Sequence, residues 1–289
     1  MDLADVPRPT RRRALRAAGA WAAVAAGPVG AAQASEPAAA CRRLRVPLSP
    51  AGALVQLREE RLDGVLPDLV QLLSRRLACP VDARLTPRAR QVKMFFETHE
   101  ADLFWPAVRH PRREAAGRFS PFFKGVVHLV TRADAGVPAL DVQGLLARRD
   151  WLGAMVSGYS FGPVYDDLVR ALSLQHRLTL VRDPSTALRM VQAGRVGFTL
   201  LNPIAVYGES LEADVGQYAR FTLQPLGDLP RYEGGAYVSR HTLPPDAQQR
   251  VLAALDALVA EGHLMRAMRR HYPAAVLRQE FGADTPRPS

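Results

Sequence analysis

The apolar and polar positions of the chain fall into short segments of two alternating kinds. Leu44-Arg45-Val46-Pro47-Leu48 reads as a strand. From Asp63-Gly64 onward, Leu66, Leu69, Val70, Leu73 and Leu77 recur at the i, i+3, i+4, i+7, i+11 spacing of one helical face. Val81 to Leu85 returns to a strand, a helical stretch from about Arg88 to Thr98 buries Val92, Phe95 and Phe96, and Ala101 to Trp105 is a short apolar strand. Strand, helix, strand, helix, strand is the rhythm of a parallel α/β unit.

Gly125 to Arg132 is β-rich, and Ala133 to Leu145, with its Asp, Gly and Pro, reads as loop. A second series then begins. It predicts strands at Leu152–Val156, Leu178–Val181 and Val196–Leu201, and helices at Pro163–Leu172, at about Thr186–Ala193 and opening at Asn202-Pro203. Phe221 to Leu223 and Gly235 to Val238 are further strands. The tail is helical, with Val251, Leu252, Leu255, Leu258 and Val259 as its stripe, Gly262 as a break, and disorder expected past about Leu277. Two α/β series predict two lobes, divided as 42–123 plus 232–281 and 126–230, with hinge strands near Pro121–Gly125 and Asp228–Glu233 and a disordered tail over 282–289.

Composition removes one segment from fold reasoning. Residues 1–34 join a charged start, Thr10-Arg11-Arg12-Arg13-Ala14-Leu15-Arg16, to an alanine-rich apolar run and an Ala32-Gln33-Ala34 site, the pattern of a twin-arginine-like export signal cleaved near Ala34. Its five arginines and two aspartates leave with it, so the formal charge of +10 becomes +7. Lys93 and Lys124 are the only lysines, and no arginine run or basic-aromatic alternation marks a nucleic-acid surface. Export to an oxidising compartment makes Cys41 and Cys79, each just ahead of a predicted strand, a candidate disulfide, with two buried free thiols as the alternative.

Candidate chemistry is sparse. Neither a Walker loop, nor a dinucleotide fingerprint, nor a cluster of metal-ligand spacing occurs, so no cofactor or metal is expected. Gly158-Tyr159-Ser160-Phe161-Gly162 is a literal G-x-S-x-G, which raises Ser160 as a hydrolase nucleophile. Of the downstream histidines, His176 reads as a polar helix end and His263 and His271 fall in the terminal helices, and no oxyanion segment precedes the serine. A ligand-binding turn and a simple helix cap remain the other readings of Ser160.

The order of short motifs resembles the periplasmic solute-binding proteins of the amino-acid-binding type, which serve ABC importers. Its carriers are Leu44-Arg45-Val46, Gly64-x-x-x-Asp68-Leu69, Glu100-Ala101-Asp102-Leu103, Arg113 six residues before Phe119-Ser120-Pro121-Phe122, Val156-Ser157-Gly158-Tyr159-Ser160, Ala193-Gly194-Arg195-Val196, and Leu258-x-x-x-Gly262-x-Leu264 running into Arg270-His271-Tyr272.

The resemblance implies a two-lobed type II fold, each lobe a mostly parallel sheet flanked by helices, with the ligand in the cleft between lobes. It implies a periplasmic monomer that binds a small carboxylate-bearing solute and docks on an inner-membrane ABC permease. Arg113 would grip the carboxylate, with Ser49, Trp105, Pro106, Ala107, the Ser157-Gly158-Tyr159-Ser160 turn and Asn202 along the cleft. Two departures bear on the ligand. Asn202 stands where an aspartate usually meets the α-ammonium, and reads equally as a helix cap; the loop at Ser49 lacks the usual stacking aromatic, a wall that Trp105, Phe104 or Tyr159 would supply instead. The same family includes rare dehydratases, which would need a placed carboxylate; Asp166 and Asp167 read only as a solvated first helical turn.

Overall fold

A computed structural model describes residues 42–211 and 217–282. The expected export signal, Cys41 and the tail beyond Gly282 lie outside the described residues.

The first strand, β1 (Leu44–Leu48), is followed by a small hairpin, β2 (Gln56–Arg58) with β3 (Arg61–Asp63), then α1 (Val65–Leu77) and β4 (Val81–Leu85). β1 and β4 pair in parallel, Leu44 opposite Val81 through Leu48 opposite Leu85. Leu66, Leu69, Val70 and Leu73 of α1 are buried, as their helical spacing requires. α2 (Arg88–Phe96), β5 (Leu103–Val108) and β6 (Gly117–Gly125) complete this first stretch.

The chain then crosses into a larger sheet. In order come β7 (His128–Arg132), α3 (Val142–Ala147), β8 (Gly153–Val156), α4 (Pro163–Leu174), β9 (Leu178–Val181), α5 (Pro184–Gln192), β10 (Phe198–Leu201), α6 (Pro203–Glu209) and β11 (Phe221–Pro225). Five of these strands pair in the order β11-β7-β10-β8-β9. β10, β8 and β9 run parallel, and β7 runs antiparallel to both its neighbours. The helix starts follow from capping chemistry: Asp183 accepts from Thr186 N at 2.8 Å and Asn202 from Ala205 N at 3.3 Å, each with a proline next to open the helix.

β12 (Tyr232–Ser239) returns the chain to the first body, where it lies between β5 and β6 in a three-stranded antiparallel sheet. α7 (Pro245–Ala260), α8 (His263–His271) and α9 (Ala274–Phe281) pack on it. One continuous core joins β1, α1, β5, β12 and these last helices, while two further clusters flank the five-stranded sheet. The chain therefore forms two lobes, each with its own sheet and core, and crosses between them at β6 to β7 and at β11 to β12.

Three segments differ from the sequence expectation. The loop expected over 133–145 contains the start of α3, because Asp141 accepts from Gly144 N at 2.6 Å and so caps a helix. Residues past Leu277 are not disordered as far as Phe281, whose ring meets Phe123 edge-on with centroids 5.1 Å apart. β6, expected over Pro121–Gly125, begins earlier, at Gly117; Pro121 in its middle is tolerated because among the described strands β6 pairs on one side alone, with β12.

Gly235 of β12 sets how closely β6 can approach, since a Cβ there would stand 2.1 Å from the backbone oxygen of Ser120. Gly235→Ala is expected to destabilise the protein by about 2–3 kcal/mol, the usual cost of overpacking, read as a lower urea midpoint. An unchanged midpoint would contradict this strand contact.

Candidate functional site

The two lobes enclose a cavity whose walls are largely apolar and aromatic. β5 contributes Trp105, Pro106, Ala107 and Val108, β6 contributes Phe122 and Phe123, and the loop after β1 contributes Ser49, Ala51 and Leu54. The opposite lobe contributes Tyr159, Ser160 and Phe161 ahead of α4, and Asn202, Ile204 and Ala205 at the start of α6. Alternation along β5 separates its two large aromatics: Trp105 faces the cavity, whereas Phe104 packs with Phe95 and Tyr237 in a small separate cluster.

Among the described lining residues Arg88 is the only charged side chain. It opens α2 and is only 7% exposed. Gln91, one turn later and 0% exposed, holds it: Arg88 Nη1 donates to Gln91 Oε1 at 2.7 Å and to Pro106 O at 2.8 Å. The Gln91 amide nitrogen in turn donates to Pro47 O and Trp105 O, both at 2.7 Å. The guanidinium lies over Phe104, 4.3 Å from the ring centroid, and 5.7 Å from that of Tyr159 across the cavity. Arg88 Nε is buried without a hydrogen-bond partner. Burial, and then the nearby charge of Arg113, push this guanidinium down to about 9.

Arg113 is not among the lining residues. It ends a short 3-10 turn at Pro111–Arg113, donates from Nη1 to Val108 O at 2.9 Å, and rests against Phe104 at 5.3 Å and Phe96 at 5.8 Å. Its pKa is lowered by burial against the pull of Tyr237 and Asp166. Two guanidinium groups thus share the Phe104 ring, and no carboxylate hydrogen-bonds either of them among the described residues. Beside them, His110 Nε2 reaches Asp166 Oδ2 of α4 at 3.2 Å, so Asp166 bridges the lobes instead of standing free in a solvated first turn.

Of the expected turn, Tyr159 and Ser160 line the cavity, and Ser157 and Gly158 do not. Two of its N–H groups are spent locally, Ser157 N on Val181 O at 2.8 Å and Tyr159 N on Val156 O at 3.1 Å. Gly158 has φ +79° and Gly162, the N-cap of α4, has φ +114°, both in the left-handed region that favours glycine. Ser160 Oγ accepts from Gly162 N at 3.4 Å. No histidine among the described residues hydrogen-bonds it, so the contact that would activate a serine nucleophile is missing.

Asn202 does both things its sequence position suggests, capping α6 and facing the cavity. Its Nδ2 donates to Tyr232 Oη at 2.7 Å and to Glu280 Oε1 at 3.4 Å. Glu280, from α9, is fully buried, accepts from Tyr232 Oη and Ile204 N, and is pushed up to about 7 by burial against these donors. Arg88, Gln91 and Glu280 are absent from the sequence expectation. A signal existed for the first two: Arg88, Gln91 and Phe95 share one face at i, i+3, i+7.

No family model and no curated protein matches the chain by sequence. Solved structures do match. The chain has the two-lobed type II periplasmic-binding-protein fold. A mutant of the arginine-binding protein of T. maritima superposes with a TM-score of 0.65 at 16% identity, covering 79% of this chain and 94% of that one. The arginine-, lysine-, histidine-binding protein of Geobacillus stearothermophilus gives 0.64 at 10% identity, covering 80% and 95%. An ancestral amino-acid-binding protein described as a precursor of cyclohexadienyl dehydratase gives 0.63 at 15% identity, covering 80% and 95%.

Two buried groups give stability opposite dependences on pH. Glu280 titrates at about 7 in the fold against 4.5 ordinarily, so its contribution is complete below about pH 4.5 and is lost as pH rises through 7. His128, forced by burial to about 4 from 6.5, contributes above about pH 6.5 and loses that contribution as pH falls toward 4. Each effect amounts to about 3 kcal/mol at its limit. In urea titrations across pH 4–8, Glu280→Gln is expected to remove the falling component and leave a curve that rises with pH. A variant curve parallel to that of the parent would contradict the assignment.

Proposed function

We propose that the chain is an exported solute-binding protein that closes on a small carboxylate-bearing solute, amino-acid-like or an organic acid, and presents it to an inner-membrane ABC permease. One observation carries the reading. A cavity walled by both lobes contains a buried guanidinium that no carboxylate among the described residues hydrogen-bonds, an arrangement that favours an anionic guest. Arg113 adds a second positive charge behind Phe104, and Ser160 and Asn202 supply polar contacts from the facing lobe. The similar structures named above include arginine-binding and other amino-acid-binding proteins, and a further one is an amino-acid ABC transporter substrate-binding protein bound to L-arginine.

Closure follows from how the walls are shared. A ligand that touches both lobes stabilises the arrangement in which they meet, and an open form would lose one side of its contacts. Gly52 of the loop after β1 meets Gly208 of α6 backbone to backbone: a Cβ on Gly52 would lie 2.4 Å from the Gly208 carbonyl carbon, and one on Gly208 would lie 2.7 Å from Ala53 N. We assign β6 and β12, which pair side by side where the chain crosses, to the hinge. A periplasmic monomer, with the export segment removed near Ala34 and Cys79 bridged to Cys41, completes the proposal; non-reducing peptide mapping of the secreted chain reads both cleavage and bridge.

A thermal-shift screen of the protein against amino acids, dicarboxylates and aromatic or aliphatic monocarboxylates tests the reading. A ligand at about 100 times its Kd is expected to stabilise by about 2.7 kcal/mol, or roughly 5–10 °C. Failure of every carboxylate to shift the transition would remove the proposal. Gly208→Val is expected to weaken any ligand found by at least about tenfold, roughly 1.4 kcal/mol, with little change in ligand-free melting. Unchanged affinity would refute the closing contact at Gly52.

A further inference from the structure

A guanidinium offers a carboxylate its best fit along one edge, where Nε–H and an Nη2–H project in parallel at the spacing of two carboxylate oxygens. In Arg88 both protein hydrogen bonds leave from the other corner, Nη1, toward Gln91 Oε1 and Pro106 O. Nε is left without a partner. The group is also locked, because Gln91 is itself fixed to Pro47 O and Trp105 O, so the free edge is held in a constant direction rather than swept by rotation. An oriented donor edge whose Nε is buried and matched by no acceptor among the described residues suits an anion that arrives from outside.

The rest of the cavity narrows the class of that anion. Leu54, Leu66, Trp105, Phe122, Leu264 and Met268 present hydrocarbon and aromatic surface. No acidic side chain occurs among the described lining residues. Glu280, a buried carboxylate in contact with the lining residues Tyr232 and Asn202, is committed to Tyr232 Oη, Asn202 Nδ2 and Ile204 N. An α-ammonium placed here would meet apolar walls, a few neutral oxygens such as those of Ser49, Ser160 and Asn202, and a guanidinium of like charge, with no carboxylate among the described lining residues.

We propose that Arg88, through its Nε–Nη2 edge, is the carboxylate anchor of this cavity, and that the ligand is a monocarboxylate with an apolar or aromatic body and no α-ammonium. This rests on the solute-binding reading and deepens it. Arg113 is a supporting charge, one ring removed.

Calorimetric titration of the full chain with matched pairs tests both parts: 3-phenylpropanoate against L-phenylalanine and 4-methylpentanoate against L-leucine, with L-arginine as a third amino acid. The amino-free member of each pair is expected to bind at least about tenfold more tightly, by the cost of stranding an ammonium. Arg88→Gln is expected to weaken that member by about 30-fold or more, and Arg113→Gln by less. Arg88→Lys, which keeps the charge and loses the fork, is expected to fall between parent and Arg88→Gln, and the melting curve of each variant establishes that it is folded. Tighter binding of the amino acids, or affinity indifferent to Arg88→Gln and Arg88→Lys, would overturn this inference and leave solute binding standing. No heat with any of the five compounds would overturn both.

Discussion

The side-chain amide of Gln91 is the point on which the site depends. It is fully buried, and it spends its donors on carbonyls at Pro47 in β1 and Trp105 in β5 and its acceptor on Arg88. The two carbonyls belong to strands that form no shared ladder among the described pairings, so Gln91 ties β1 to β5 at one end as Asp102, through Arg45, ties them at the other. The third bond aims a guanidinium along the cavity wall. Losing the amide would take a donor from two carbonyls and leave Arg88 held by Pro106 O alone, which is why strand geometry and site electrostatics cannot be varied separately here.

The facing wall is built on the opposite principle. Asn202, Tyr232 and Glu280 come from α6, β12 and α9, and their bonds close on one another. Burial favours the protonated form of Glu280, so this wall carries little negative charge toward the cavity in the acidic range, and its acceptors are occupied even when the carboxyl ionises. One wall therefore holds an oriented, uncompensated cation, and the other holds a satisfied polar network. The asymmetry is what the proposed preference for an anionic guest rests on, without a dense array of polar contacts.

How much of this the chain announces depends on the period of each feature. The α/β alternation, the stripe of α1, and the Asp183 and Asn202-Pro203 helix starts are local patterns, and they stand where their spacing puts them. β6 shows in the sequence over Pro121–Gly125 alone; its first half, Gly117–Ser120, is set by pairing with β12 far along the chain, which no local pattern carries. α9 is eight residues long and follows Pro273, and its burial depends on partners far along the chain, such as Phe123. Asp102, read as part of a family motif, holds Arg45 N at 2.8 Å and the Arg42 and Arg45 side chains. Arg88 was the hardest residue to see, since in a chain whose basic residues are almost all arginine, residue type carries little information and only its shared face with Gln91 and Phe95 sets it apart.

The contrast between Arg88 and Arg113 shows what a motif can transfer at this distance. Position six residues before Phe119-Ser120-Pro121 fixes where Arg113 leaves the backbone, and the structure places it near the expected wall. Position does not fix what the guanidinium then does. With Nη1 on Val108 O and its face on Phe96 and Phe104, Arg113 is turned onto its own lobe, and Arg88 occupies the wall of the cavity on the other side of the shared contact with Phe104. Burial, and after it the charge of Arg113, lowers the Arg88 guanidinium, and an anion bound there as proposed would offset both effects on Arg88. On that proposal the buried positive charge is a cost of the unliganded fold that an anion would reduce, so the same burial that disfavours the cation would favour its partner.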